Sequence, residues 1–174
     1  MNIQIELISE YDLADASFNI VIDGLKSRET YRVEMFLSDY YCINAPMLLA
    51  HDVLWRSIGT FVSDKNGIID ISQTPSCSGS YEDIATMGLF FNAKPLTNRK
   101  KKLPNSLSKI PLLDHFFVGI KIMQGNTVIA ERTFTRHYMS SQISHQDIYG
   151  KHFQGRLFYD KKAIKTPSID YCER

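Results

Sequence analysis

Two serines, a cysteine and a tyrosine crowd residues 77–91, which read CSGSYEDIATMGLFF. Serine becomes a nucleophile when a strained turn lifts its hydroxyl out of the backbone. That turn needs glycine on both sides, as G-x-S-x-G. Here the order is Ser78-Gly79-Ser80-Tyr81-Glu82, so the second glycine is missing, and no G-x-S-x-G occurs elsewhere in the chain. Phosphate cradles of the forms G-x-x-x-x-G-K-[ST] and G-x-G-x-x-G are absent as well. A thiolate at Cys77 would need a neighbouring cation or a helix start to lower its pKa, and no histidine or lysine stands beside it in sequence. The stretch therefore reads as a glycine-bearing turn between strands, with Cys77 an inert thiol and no catalytic residue assigned.

Metal chemistry has little support. His51, His115, His137, His145 and His152 are scattered. His145 and His152 flank Asp147, but this spacing suits no common helical or hairpin ligand pair. The cysteines Cys42, Cys77 and Cys172 are odd in number and widely spaced, which suggests neither a disulfide framework nor a zinc site. No metal or cofactor is expected. The concentrated charge is Arg99-Lys100-Lys101-Lys102. Clustered cations hold phosphate well, including the phosphates of a coenzyme, yet such a run is first of all a solvated loop. The single tryptophan, Trp55, sits in a strand pattern and reads as a packing residue.

Bulk properties narrow the class. A chain of 174 residues with 44% hydrophobic content can bury one sizeable core. The net charge of +1 gives no argument for a nucleic-acid partner. No apolar run of about 18 residues is present, so no membrane-spanning helix is expected. The start, MNIQIELISEYD, lacks the basic and apolar regions of a signal peptide. A reducing cytoplasm fits these features.

The elements that would position any site follow a period of two. Ile3-Gln4-Ile5-Glu6-Leu7 alternates, as does Tyr31-Arg32-Val33-Glu34-Met35-Phe36-Leu37. Residues 18–22 end at the turn signal Asp23-Gly24. Residues 55–62 and 68–71 flank Asp64-Lys65-Asn66-Gly67 and are expected to form a hairpin. Residues 116–122 and 127–134 flank Gln124-Gly125-Asn126 and are expected to form another. Residues 87–93 form an apolar run read as a core strand, and residues 80–85 have room for one helical turn. Residues 95–111 read as a long surface loop, 145–150 as a connector and 153–159 as one more strand. The alternation of βαβ units is missing, and many short strands with turn signals suggest an antiparallel sandwich or barrel.

Several of these pieces also form an ordered series. Trp55-Arg56-Ser57-Ile58-Gly59-Thr60-Phe61 is followed by the turn at residues 64–67, Ile69-Asp70-Ile71-Ser72 and Pro75. Gly79-Ser80-Tyr81, Met87-Gly88-Leu89-Phe90 and Pro95 come next. Asp23-Gly24-Leu25 precedes the series and Gly155-Arg156-Leu157-Phe158-Tyr159 follows it. The series resembles the N-terminal domain of the acyl-CoA thioesterases and of bile acid-CoA:amino acid N-acyltransferase, over residues 20–159. The resemblance implies an all-β, antiparallel, immunoglobulin-like β-sandwich over residues 1–160. Residues 161–174 would be a tail, or the start of a missing α/β-hydrolase domain. In full-length members that domain carries the triad, with serine as nucleophile in the thioesterases and cysteine in the acyltransferase. None of the triad carries onto a position here.

The resemblance thus implies a non-catalytic domain of an acyl-CoA thioester hydrolase or acyltransferase-like protein, inactive alone. Its partner would be the α/β-hydrolase domain, and acyl-CoA would be touched only in the full-length protein. Without that partner an apolar patch near Phe153, Leu157 and Tyr159 should be exposed, and a homodimer could form through it. The alternative is a stand-alone β-sandwich that binds a protein or small ligand. Fold alone does not separate the two.

Overall fold

A computed structural model describes residues 2–40, 53–97 and 114–162. Its strands are β1 (Gln4–Ser9), β2 (Phe18–Asp23), β3 (Thr30–Ser38), β4 (Trp55–Val62), β5 (Ile69–Asp70), β6 (Ser78–Gly79), β7 (Lys94–Pro95), β8 (His115–Gln124), β9 (Thr127–His137), β10 (Ile143–Tyr149) and β11 (Gln154–Asp160). One short helix, α1 (Gly88–Phe91), lies between β6 and β7. All the ladders between these strands are antiparallel. The large sheet runs β6-β4-β3-β8-β9, with β7 also on the outer edge of β4, and the small sheet runs β1-β2-β5. This is the expected all-β sandwich.

Alternation decides what lies between the sheets. Tyr31, Val33, Met35 and Leu37 of β3 face inward beside Phe116, Val118, Ile120 and Ile122 of β8, and all are buried. Ile5, Phe18, Ile20, Ile22 and Ile69 answer from the small sheet within the same cluster. Each such side chain contributes about 1.5–3 kcal/mol relative to its exposed state. Trp55 joins this core, edge-on to Tyr40 at 5.9 Å between ring centroids.

The last strand of the large sheet breaks the apolar pattern. On β9, Ala130, Arg132, Phe134 and Arg136 share the inward side by register with β8. Arg132 reaches the small sheet and donates to the carbonyl of Ile5 at 2.6 Å. Arg136 is 1% exposed and lies over the Phe18 ring at 5.1 Å. Its guanidinium donates to the carbonyls of Tyr11 (2.9 Å), Ala16 (2.6 Å) and Leu13. The two arginines thus tie the rim of the large sheet to β1 and to the loop after it.

Three elements differ from the sequence reading. Residues 68–71 do not form a hairpin with β4. After the turn at residues 64–67 the chain crosses sheets, and β5 pairs with β2 through Val21↔Asp70 and Ile22↔Ile69. Burial drives the crossing, since Ile69 and Ile71 are both fully buried in the common core. Residues 87–93 hold the helical turn α1 rather than a core strand, and residues 80–85 hold none. Short apolar runs carry too little periodicity to separate the two states. Leu89 is buried by the turn, and Phe90 meets Phe18 edge-on at 5.6 Å. Finally, residues 145–150 belong to β10, which pairs along its length with β11. The hairpin over residues 116–134 is as expected, extended at both ends and bulged between Ile122 and Met123. Most of the loop at residues 95–111, including Arg99, Lys100, Lys101 and Lys102, lies outside the described residues, as do His51, Cys42 and Cys172.

Two carboxylates hold the crossing in place. Asp64 accepts from the backbone N–H groups of Ile68 and Asn66, both at 2.8 Å, and these bonds keep its carboxyl below the usual range. Burial opposes the charge of Asp70, but the Ser72 hydroxyl, the Asn19 amide and the Ser72 N–H outweigh it and lower its pKa. A depressed folded pKa contributes stability above the unfolded value of about 3.9, and that stability is lost as pH falls through the folded value. The urea midpoint should therefore drop below pH 4. Asp70→Ala should be less stable at pH 7 and lose less on acidification. An equal acid loss in the variant would show that Asp70 is not a source of it.

Candidate functional site

Ser80 is occupied by sheet geometry. Its N–H donates to the Ile58 carbonyl at 2.7 Å, and its Oγ accepts from the Ile58 N–H at 2.9 Å. The pairings Gly59↔Gly79 and Thr60↔Ser78 place it at the end of a two-residue edge strand. Gly79 has φ +130°, and a Cβ there would stand 2.3 Å from the Ile58 carbonyl oxygen. The glycine serves this close approach to β4. Strands β4 and β3 separate β6 from β8, so His115 and His137 lie at least about 14 Å away across the sheet. Cys77 is an exposed free thiol whose N–H bonds the Thr60 carbonyl at 2.8 Å. Among the described residues neither side chain hydrogen-bonds a histidine, aspartate, glutamate or lysine side chain.

Gly88 makes the second close approach within residues 77–91. A Cβ there would come within 2.4 Å of the Tyr81 ring. Burial pushes the Tyr81 phenol up to about 12, so it stays protonated at neutral pH. Both glycines of residues 77–91 thus sit where a side chain would overlap its neighbours.

The histidines divide into two groups. His145 lies on β10 with its ring 6.2 Å from that of Phe158, and His152 is exposed in the turn that follows. Between them Asp147 is committed to Arg156, with contacts of 2.6 and 3.2 Å that hold its carboxyl below the usual range. His115 and His137 are direct cross-strand partners at the end of the β8–β9 ladder, a pairing that sequence spacing alone did not suggest. Asp114 Oδ1 lies 2.5 Å from Nδ1 of His115, and Asp12 Oδ2 lies 3.7 Å from Nε2 of His137. Among the described residues no three histidine, cysteine, aspartate or glutamate side chains form a ready metal site.

Beside this pair a cleft of about 430 Å³ opens toward the last hairpin, lined by Tyr11, Asp12, His137, Met139, Ile143 and Lys161 among others. Beyond the cleft, β10 and β11 pair with one another alone among the described strands. No described side chain from residue 143 to 160 is fully buried. Tyr149, Phe153, Phe158 and Tyr159 are 53, 57, 53 and 41% exposed, and Leu157 is half-buried. A two-stranded hairpin is marginal in water unless a third strand or a packed face supports it.

The all-β fold agrees with one comparison. The family model of the acyl-CoA thioester hydrolase/BAAT N-terminal region matches residues 15–149. The chain belongs to this family. No curated protein gives a match. The matched span opens in the loop that Arg136 clamps and runs to the last residue of β10, so it takes in most of the sandwich. In this acyl-CoA thioester hydrolase/BAAT N-terminal region, Trp55 and Phe61 are core and Gly79 and Gly88 are close approaches. No helix among the described residues is long and apolar enough to cross a membrane.

Proposed function

We propose that the chain is a non-catalytic domain of an acyl-CoA thioester hydrolase or acyltransferase-like protein, acting in acyl-CoA and fatty acid metabolism. Its role is to pack against an α/β-hydrolase domain that cleaves or transfers the acyl group. The observation that carries this reading is the β10–β11 hairpin, with aromatic side chains on an element that buries none of them. Covering such a patch removes apolar surface from water at about 25 cal/mol per Å². Thioester cleavage itself needs a nucleophile, a positioned base and an oxyanion hole. Among the described residues no side-chain base is hydrogen-bonded to Ser80 or Cys77, which supports the non-catalytic reading. Cytoplasmic placement is part of the proposal and suits a free Cys77.

Two measurements test it. Purified chain should hydrolyse acyl-CoA of no chain length above background, and Ser80→Ala should leave that result unchanged. Turnover that Ser80→Ala abolishes would overturn the non-catalytic role. The chain should also bind an isolated α/β-hydrolase domain from a family member. Phe158→Asp with Tyr159→Asp should weaken that binding at least about tenfold, the factor for each 1.4 kcal/mol lost. Circular dichroism would confirm that the sandwich of the variant is intact. Undiminished binding by a folded variant would remove the hairpin from the interface. Self-association through the same residues is the expected behaviour when no hydrolase domain is supplied.

A further inference from the structure

We propose that His115 and His137 form a two-imidazole chelate for a late first-row divalent ion, with Cu²⁺ bound more tightly than Ni²⁺ and Ni²⁺ more tightly than Co²⁺. The site is independent of the hydrolase-docking role. Directly opposed residues on an antiparallel pair hold their Cβ atoms about 4.5–5.5 Å apart. The two imidazole centroids are 6.1 Å apart, with the planes inclined at 62°. A metal bonded at about 2.0–2.1 Å to one nitrogen of each ring sets the centroids roughly 4.5 Å apart at a right-angled N–metal–N and roughly 6.4 Å apart at a linear one. The pair stands toward the open end of that span, so a modest side-chain rotation closes it on an ion, and both side chains are about two-fifths exposed, at 39 and 40%.

The neighbours favour a cation. Asp114 engages Nδ1 of His115, which directs that ring's Nε2 away from the carboxylate as the free donor. A carboxylate on the far nitrogen fixes the ring and raises its basicity as a ligand. Asp12 brings a second negative charge to the His137 ring. The Phe117 ring packs against His115 at 4.9 Å between centroids and restricts its rotation. The described side chains offer no ready three-residue site, so water completes the coordination shell. Imidazole ligands and the Irving–Williams order select copper, nickel and zinc over magnesium or calcium.

The test is calorimetric titration of the purified chain with CuCl₂, NiCl₂ and CoCl₂ in a buffer that does not chelate. One ion per chain should bind at this site, with affinity rising from cobalt to copper. His115→Gln and His137→Gln should each weaken binding at least about tenfold. Asp114→Asn should weaken it by about tenfold, the lower end for an orienting carboxylate. His145→Gln with His152→Gln should leave it unchanged. Melting curves without metal establish that each variant is folded; should a glutamine variant fail that check, His137→Asn replaces it. Binding that survives loss of either His115 or His137 in a folded variant would overturn the chelate. An equal loss in the His145 and His152 variant would assign the ion to the hairpin instead.

Discussion

Arg136→Met should lower the free energy of unfolding by about 3 kcal/mol, read as a shift of the urea midpoint at unchanged slope. The guanidinium is buried and serves three carbonyls of one loop, those of Tyr11, Leu13 and Ala16. Methionine preserves most of the apolar stem but has no donor. Each orphaned buried carbonyl costs about 1–3 kcal/mol, and water reaching the loop recovers part of the total. Burial pulls the arginine pKa down, while Asp12 and Asp15 oppose that pull, and a guanidinium remains charged in proteins. Arg136→Lys should recover less than half of the loss, because one ammonium cannot reproduce a planar fork over three acceptors. Proteolytic cleavage within residues 10–17 should accelerate in both variants. An Arg136→Met midpoint equal to that of the parent would show that the loop holds without its clamp.

This clamp also marks the limit of what the sequence discloses. Strands β2, β3, β4 and β8 are legible because one face is buried and alternates along the strand, whereas β9 is legible from the turn at residues 124–126 that pairs it with β8. Arg136 follows Phe134 on the inward side of β9, and a pattern of apolar residues has no means of placing an arginine inside. Glu34 is the converse case. It lies on the outer side of β3, where alternation predicts exposure, yet it is 4% exposed between Arg32 at 3.0 Å and Arg56 at 2.7 Å. Those cations come from its own strand and from its neighbour, so their meeting depends on register. The His115–His137 pair also depends on register, as their positions lie 22 residues apart in the chain. Strand β10 was hidden because it has no buried face to impose alternation. The absence of a nucleophile elbow at residues 77–91 was legible, since it rests on a local glycine requirement that spacing alone tests.

The crossing from the large to the small sheet makes the second large effect. Gly67→Ala should cost about 3 kcal/mol or more, whereas Gly125→Ala should cost about 1 kcal/mol, both measured by urea unfolding. The two glycines share a left-handed backbone, with φ +82° at Gly67 and +59° at Gly125, so both variants carry conformational strain. Their surroundings differ. A Cβ at Gly125 would meet nothing within 4 Å, at the tip of the β8–β9 hairpin. A Cβ at Gly67 would stand 2.0 Å from the carbonyl oxygen of Leu25 and 2.9 Å from its carbon. Those are backbone atoms, so no rotamer change relieves the overlap. Leu25 also donates its N–H to the Gly67 carbonyl at 3.0 Å, and its side chain is buried in the core. Moving the two segments apart would break that bond and loosen Leu25. It would also disturb the Asp64 turn that delivers Ile69 and Ile71 to the interior. If Gly67→Ala cost no more than Gly125→Ala, the close packing of this turn on Leu25 would not be what fixes the sheet-to-sheet crossing.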